Sequence, residues 1–161
     1  MSTEHERSET DTATSPNDVE APSVAGTLLE NLVGYALRRA QLTDYQRFNA
    51  ATADHRIRPA QFSVMIMAEA YPGITQSQLA KTLEVDPPRM VNLIHDLEDR
   101  DLAVRVRCKT DRRSHGIFLT KKGETTLREL KEQVQRADRQ HAASLSEPER
   151  ATLLRLLRRL Y

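Results

Sequence analysis

The chain has 161 residues, 39% of them hydrophobic, which suits one domain with a modest core. No run of about 18 apolar residues predicts a membrane-spanning helix, and the basic start followed by an apolar block that marks a secretory leader is missing. One cysteine, Cys108, excludes an internal disulfide framework and points to a reducing cytoplasm; 4% aromatics beside abundant Leu, Ala, Arg and Glu favour helices over a β-sandwich.

Residues 1–22 carry six acids (Glu4, Glu6, Glu9, Asp11, Asp18, Glu20) against Arg7, a net −5, and almost no large apolar side chains. Such a segment buries too little surface to offset its ordering entropy, so it is expected to be a disordered acidic tail. From Val24 to about Asp54, Leu28, Leu32, Tyr35, Leu42, Tyr45 and Phe48 recur at helical spacing, with Leu29, Val33 and Leu37 widening the stripe. Pro59 opens a second helix to about Ala70, burying Phe62, Met65 and Ile66, and Tyr71-Pro72-Gly73 is a turn.

Thr75-Gln76-Ser77-Gln78 reads as a capping box before a short helix that buries Leu79 and Leu83. After a brief break Asp86 caps a further helix, its first turn accommodating Pro87 and Pro88, with Met90, Leu93, Ile94 and Leu97 as the inner face to about Arg100. Two short helices joined by a tight turn, the second with a polar outer face, make a helix-turn-helix. Leu102–Arg107 and Gly116–Leu119 predict a two-stranded hairpin separated by the basic stretch 108–114. Thr120 caps a helix over about 121–144 carrying Leu127, Leu130 and Val134. Ser146-Glu147-Pro148-Glu149 is a second capping box, and Leu153, Leu154, Leu156, Leu157 and Leu160 follow it.

The overall charge of +1 conceals a segregation. Within 100–122 eight bases face two acids, so this stretch holds the whole excess of the chain beyond the tail. A solvated charged loop is the plain reading of such a run; next to a helix-turn-helix it becomes a polyanion footprint. A major groove admits one helix and meets its N-terminal residues first, which here are Pro87, Pro88, Arg89, Val91 and Asn92. Arg89 suits guanine, Asn92 adenine, and Val91 or a proline a thymine methyl; His95, a turn deeper, has solvent as its simpler partner. Arg113 is expected in a minor groove, with Arg105, Arg107, Lys109 and Arg112 on phosphates and Thr75 and Ser77 adding contacts from a helix N-terminus.

The order of four helices, hairpin and two helices resembles the MarR family of transcriptional regulators. The stretches carrying the likeness are Arg58-Pro59-Ala60-Gln61-Phe62, Pro72-Gly73-Ile74-Thr75-Gln76-Ser77-Gln78-Leu79-Ala80, Asp111-Arg112-Arg113 followed by Leu119-Thr120, and Leu145-Ser146-Glu147-Pro148-Glu149-Arg150. The match runs over about residues 25–161. The chain departs from the pattern at Asp96, where members often carry Arg, and at Asp101, where Gly usually ends the helix.

The resemblance implies a mainly α fold with a small two-stranded β wing. Residues 23–161 form one domain, divided into dimerisation helices (23–55 and 121–161) and a winged helix-turn-helix lobe (59–120). By the same resemblance Asp111 orients the wing arginine, and the protein is a homodimer on a pseudo-palindromic operator, its half-sites about 34 Å apart. The apolar surface of the terminal helices agrees with that, although intramolecular packing would also use it. The implied activity is that of a repressor released by a small aromatic or phenolic acid, or its coenzyme A thioester. Tyr35, Arg38, Arg39, Phe62, Met65 and Met67 are candidate lining residues, with ordinary core packing as their alternative.

No cofactor is expected. Five scattered histidines, with no metal-ligand spacing, no Gly-rich phosphate loop and no nucleophile arrangement, argue against an enzyme. A thiol-responsive regulator using Cys108, a metal-responsive one, and a protein-binding winged helix are the remaining alternatives.

Overall fold

The computed structural model describes residues 22–107 and 115–161. Two units are distinguished, residues 1–37 and 38–161.

In the first unit the long helix expected from Val24 does not form as one piece. A 3-10 turn occupies Leu28–Asn31, Leu32 is extended, and only then does α1 (Val33–Ala51) begin. The cause is local. Gly26 takes a positive φ of 75° and its N–H donates to the Glu30 carboxylate at 2.8 Å, while the Thr27 hydroxyl donates to the Val24 carbonyl at 2.7 Å. These side-chain bonds give the backbone an alternative to the helical ladder. Leu28, Leu29, Leu32, Val33 and Leu37 are all exposed, Leu28 by 75%.

The second unit contains the core. α1 ends at Ala51 with Thr52, fully buried, whose hydroxyl oxygen lies 2.9 Å from the Phe48 carbonyl and 3.1 Å from that of Ile57. After a 3-10 turn at Ala53–His55, α2 spans Pro59–Ala70 as expected, with Pro59 in its first turn. β1 (Ile74–Thr75) leads into α3 (Gln76–Thr82). There the Thr75 hydroxyl accepts from the Gln78 N–H and the Gln78 amide oxygen accepts from the Thr75 N–H, the reciprocal cap expected. Asp86 caps α4 (Pro87–Asp99) by accepting from the Arg89 N–H at 3.0 Å.

The wing is β2 (Ala103–Arg107) paired antiparallel to β3 (His115–Leu119), with Arg105 opposite Ile117. The sheet has a third strand that the sequence reading lacks. β1 pairs with β3 in the order β1-β3-β2, an element of two residues that is too short to leave a periodicity. Gly116 makes this pairing possible, because a Cβ there would lie 2.9 Å from the Gly73 backbone.

Gly123 near the start of α5 (Lys121–His141) is more constrained, since a Cβ would sit 1.9 Å from the Leu102 carbonyl oxygen. The same joint is tied by the Thr120 hydroxyl, which accepts from the Gly123 N–H and donates to the Asp101 carbonyl, and by Lys122, which donates to the Arg100 carbonyl. Asp101 has φ 57°, a left-handed conformation that Asp tolerates better than most residues, at the helix end where glycine is usual. α5 stops at His141, three residues short of the expected end, and α6 follows over Glu147–Leu157.

Val64, Met65, Leu79, Met90, Ile94, Leu97, Ile117, Leu127 and Leu130 are wholly enclosed and form one cluster contributed by α2, α3, α4, β3 and α5. By contrast α6 buries nothing: Leu153, Leu154 and Leu156 are exposed, as is Leu160 just beyond its end. Among the described residues no helix is long and apolar enough to cross a membrane.

Candidate nucleic-acid interface and effector cleft

Burial of Met90, Leu93, Ile94 and Leu97 fixes the rotation of α4 and therefore its outer face. Pro87, Pro88, Arg89, Val91, Asn92 and His95 are all exposed there, with the predicted base-reading residues gathered in the first two turns. His95 lies 3.5 Å from Asp99 one turn on. Ser77 is exposed on the first turn of α3, whereas the Thr75 hydroxyl is already engaged in the cap. Arg107 is exposed at the end of β2. Cys108, Lys109, Asp111, Arg112 and Arg113 lie outside the described residues, as do residues 1–21 of the acidic tail.

Arg105 is arranged differently from the free phosphate contact expected of it. Its N–H donates to Glu98 Oε1 at 3.1 Å, its guanidinium pairs with Glu98 Oε2, and a further arm reaches the Val91 carbonyl at 3.4 Å. Sequence reading missed Glu98 because the pair joins a helix to a strand across a turn, where no periodicity operates. Another unforeseen tie is Arg100, which donates to the backbone carbonyls of His55 and Arg56 and so anchors the end of α4 to the loop before α2. Arg56 there adopts a left-handed φ of 48°. Gln61, buried, accepts from the Arg58 N–H at 2.9 Å and donates to Asp96 at 3.4 Å, so the residue that departs from the family pattern is held from α2.

A cleft of about 560 Å³ opens between α1, α2 and α5. Phe48, Phe62, Ile66 and Val134 give it an apolar floor, and the Phe48 and Phe62 rings meet edge-to-face with centroids 5.7 Å apart. Ser63, Lys131, Gln135, Asp44 and Asp138 supply polar groups, with Lys131 paired to Glu69 and Asp138 to Arg150. Lys131, Val134, Gln135 and Asp138 share one face of α5 at helical spacing, a signal that the sequence carried.

Of the predicted lining residues in this unit, only Phe62 is on the cleft wall. Met65 is fully enclosed in the core, Met67 lines a separate groove with Tyr71 and Pro72, and Arg38 and Arg39 are exposed on α1 away from the lining. Tyr35 is half-buried within the first unit. Adjacent apolar residues on a helix with several buried faces do not announce which face is open, and Met65 and Met67 accordingly point to different surroundings. A second cleft of about 440 Å³ runs past Tyr45, Arg58 and Pro59 to Arg89, Asn92 and Asp96. Pro59 borders both clefts. Among the described residues no group of three or more His, Cys, Asp or Glu is placed to hold a metal ion.

Comparison with known proteins decides the lineage. The family model of the MarR family matches residues 57–115, and a putative transcriptional regulatory protein for the hcr operon of Thauera aromatica is 34% identical over 140 residues, covering 86% of this chain and 81% of that one. The chain belongs to the MarR family. As a MarR-family protein it is a transcriptional regulator and not an enzyme, with the winged helix fold. Two solved structures of the transcriptional repressor CouR are similar to it. One, bound to a 23-mer DNA duplex, is 37% identical with a TM-score of 0.81, over 88% of this chain and 99% of that one. The other, bound to p-coumaroyl-CoA, is 38% identical with a TM-score of 0.76, over 82% of this chain and 93% of that one.

Proposed function

We propose that this regulator binds a specific pseudo-palindromic duplex as a homodimer in the cytoplasm. In this reading it is a repressor released when an aromatic acid or its coenzyme A thioester fills the cleft between α1, α2 and α5. The carrying observation is the outer face of α4, where Arg89, Val91 and Asn92 stand exposed behind a capped, proline-bearing N-terminus. Arg107 and the basic segment 108–114, including Arg112 and Arg113 with Asp111 orienting, add the flanking contacts. The likeness to DNA-bound CouR supports this use of the lobe.

The effector half rests on the apolar floor of Phe48, Phe62, Ile66 and Val134, with Lys131 as the cation at its rim, and on the likeness to CouR bound to p-coumaroyl-CoA. Homodimerisation is supported by the uncovered leucines of the N-terminal stretch and α6. Release requires the effector to favour a spacing of the two lobes that DNA does not accept, since equal affinity for both spacings shifts nothing.

The test is selection of duplexes from a random pool by the purified protein, followed by titration of the enriched duplex with p-coumaroyl-CoA, p-coumarate and coenzyme A. Enrichment of a two-fold symmetric sequence and its release by the thioester or the acid is the expected result. No enrichment overturns the DNA reading; enrichment with no release by either aromatic compound overturns the effector class.

A further inference from the structure

We propose that Arg105 is a positioning residue. It sets the angle between α4 and the wing through Glu98 and the Val91 carbonyl, and it does not contact phosphate. The inference rests on the DNA-binding reading above and concerns how that surface is kept in register.

One side chain touches α4 at two residues seven positions apart on the same face, since a helical side chain such as Glu98 leans back toward the N-terminus while the Val91 carbonyl points forward. The Arg105 backbone N–H makes a further bond to the same carboxylate. The side chains of Arg105 and Glu98 are 26% and 24% exposed, so the pair sits partly withdrawn from solvent. A planar fork that meets a carboxylate and a carbonyl fixes orientation as well as distance, which a point charge on a flexible stem does not. On the opposite strand Arg105 faces Ile117, a fully buried core residue. The base of the hairpin is thus pinned through β3 to the core and through β2 to α4. Anything that the segment 108–114 presents to a flanking groove is aimed from this base.

Arg105 could turn fully onto a phosphate only by giving up these bonds. Glu98 would be left as an uncompensated carboxylate beside a polyanion, and the Val91 carbonyl would forfeit the guanidinium donor. Both changes oppose binding.

The two roles make opposite predictions. The probes are a duplex enriched by the wild-type protein from a random pool and an unselected random duplex of equal length, each titrated across a salt series. Arg105→Lys keeps the charge and loses the fork. Glu98→Gln keeps the shape and removes a negative charge, which electrostatics alone would turn into tighter binding.

A positioning role predicts that both variants lose about tenfold on the enriched duplex, the scale of one misread base pair, and change little on the random one. Arg105→Ala then keeps the wild-type salt slope on random DNA. Three results each overturn the inference alone. They are wild-type behaviour of Arg105→Lys, tighter binding of Glu98→Gln to both duplexes, and a salt slope reduced by about one in Arg105→Ala with equal losses on both duplexes. Failure of the wild-type protein to enrich any duplex overturns the DNA reading and this inference with it.

Discussion

The winged lobe and the terminal segments solve the same problem in opposite ways. In the lobe, leucine, isoleucine and methionine side chains from α2, α3, α4, β3 and α5 enclose one another completely. In α6 and in the stretch before α1, leucines recur as densely, yet none is buried. Composition alone therefore does not make a core; convergence of several elements on one point does. The lobe is complete within one chain, while the leucine-rich segments present surface for something further to cover, and a second copy is the occupant proposed above.

That contrast is open to direct attack. The largest effect is expected at Gly123, because a Cβ 1.9 Å from the Leu102 carbonyl meets backbone that is itself tied at Thr120 and Asp101. Gly123→Ala should cost about 4 kcal/mol or abolish folding, read by urea denaturation. Leu127→Ala, inside the core, should cost about 3 kcal/mol at any protein concentration.

Leu154→Ala on α6 should instead lower the unfolding temperature in a concentration-dependent way, and Leu153→Glu with Leu156→Glu should abolish that dependence and yield a monomer by sedimentation. A wild-type unfolding temperature independent of concentration would erase the contrast. The smallest effect belongs to Glu149. The hydrogen bond from the Ser146 hydroxyl, followed by that from its backbone N–H, holds its carboxyl below the usual range. A lowered folded-state pKa means that the cap is intact above the ordinary carboxylate range and is lost as pH falls through the depressed value. Helical content near α6 should fray slightly on acidification, and Glu149→Gln should flatten that dependence in a circular dichroism titration.

Elements with a chemical signature were legible in the sequence. The caps at Thr75, Asp86, Thr120 and Ser146 each mark a helix start that the structure contains, and Pro59 marks a fifth. The inner face of α4 was readable from its spacing, and with it the outer face. What escaped were mostly features with no period and no fixed residue type. The two-residue β1 and the Glu98–Arg105 pair depend on which elements meet in space, and the break at Gly26 depends on local side-chain bonds to the backbone. The Lys131-to-Asp138 face had its helical spacing but nothing to show what it would face. The cleft was found in the sequence only at Phe62. Its other walls belong to helices far apart in the chain, while Met65 was claimed by the core.

The glycine contact at the start of α5 has a mechanical meaning. From Gly123 to His141 the helix runs about 27 Å as one rod, and a tilt of about 5° at its near end carries the far end about 2 Å. The near end is wedged against a carbonyl with no side chain to cushion it, and Leu127 and Leu130 grip the next two turns; the far end is met by Arg47 through His141 and by Arg150 through Asp138. Held by backbone contact at one end and by side-chain ties at the other, α5 joins the wing's base to the outer helices through a single stiff element.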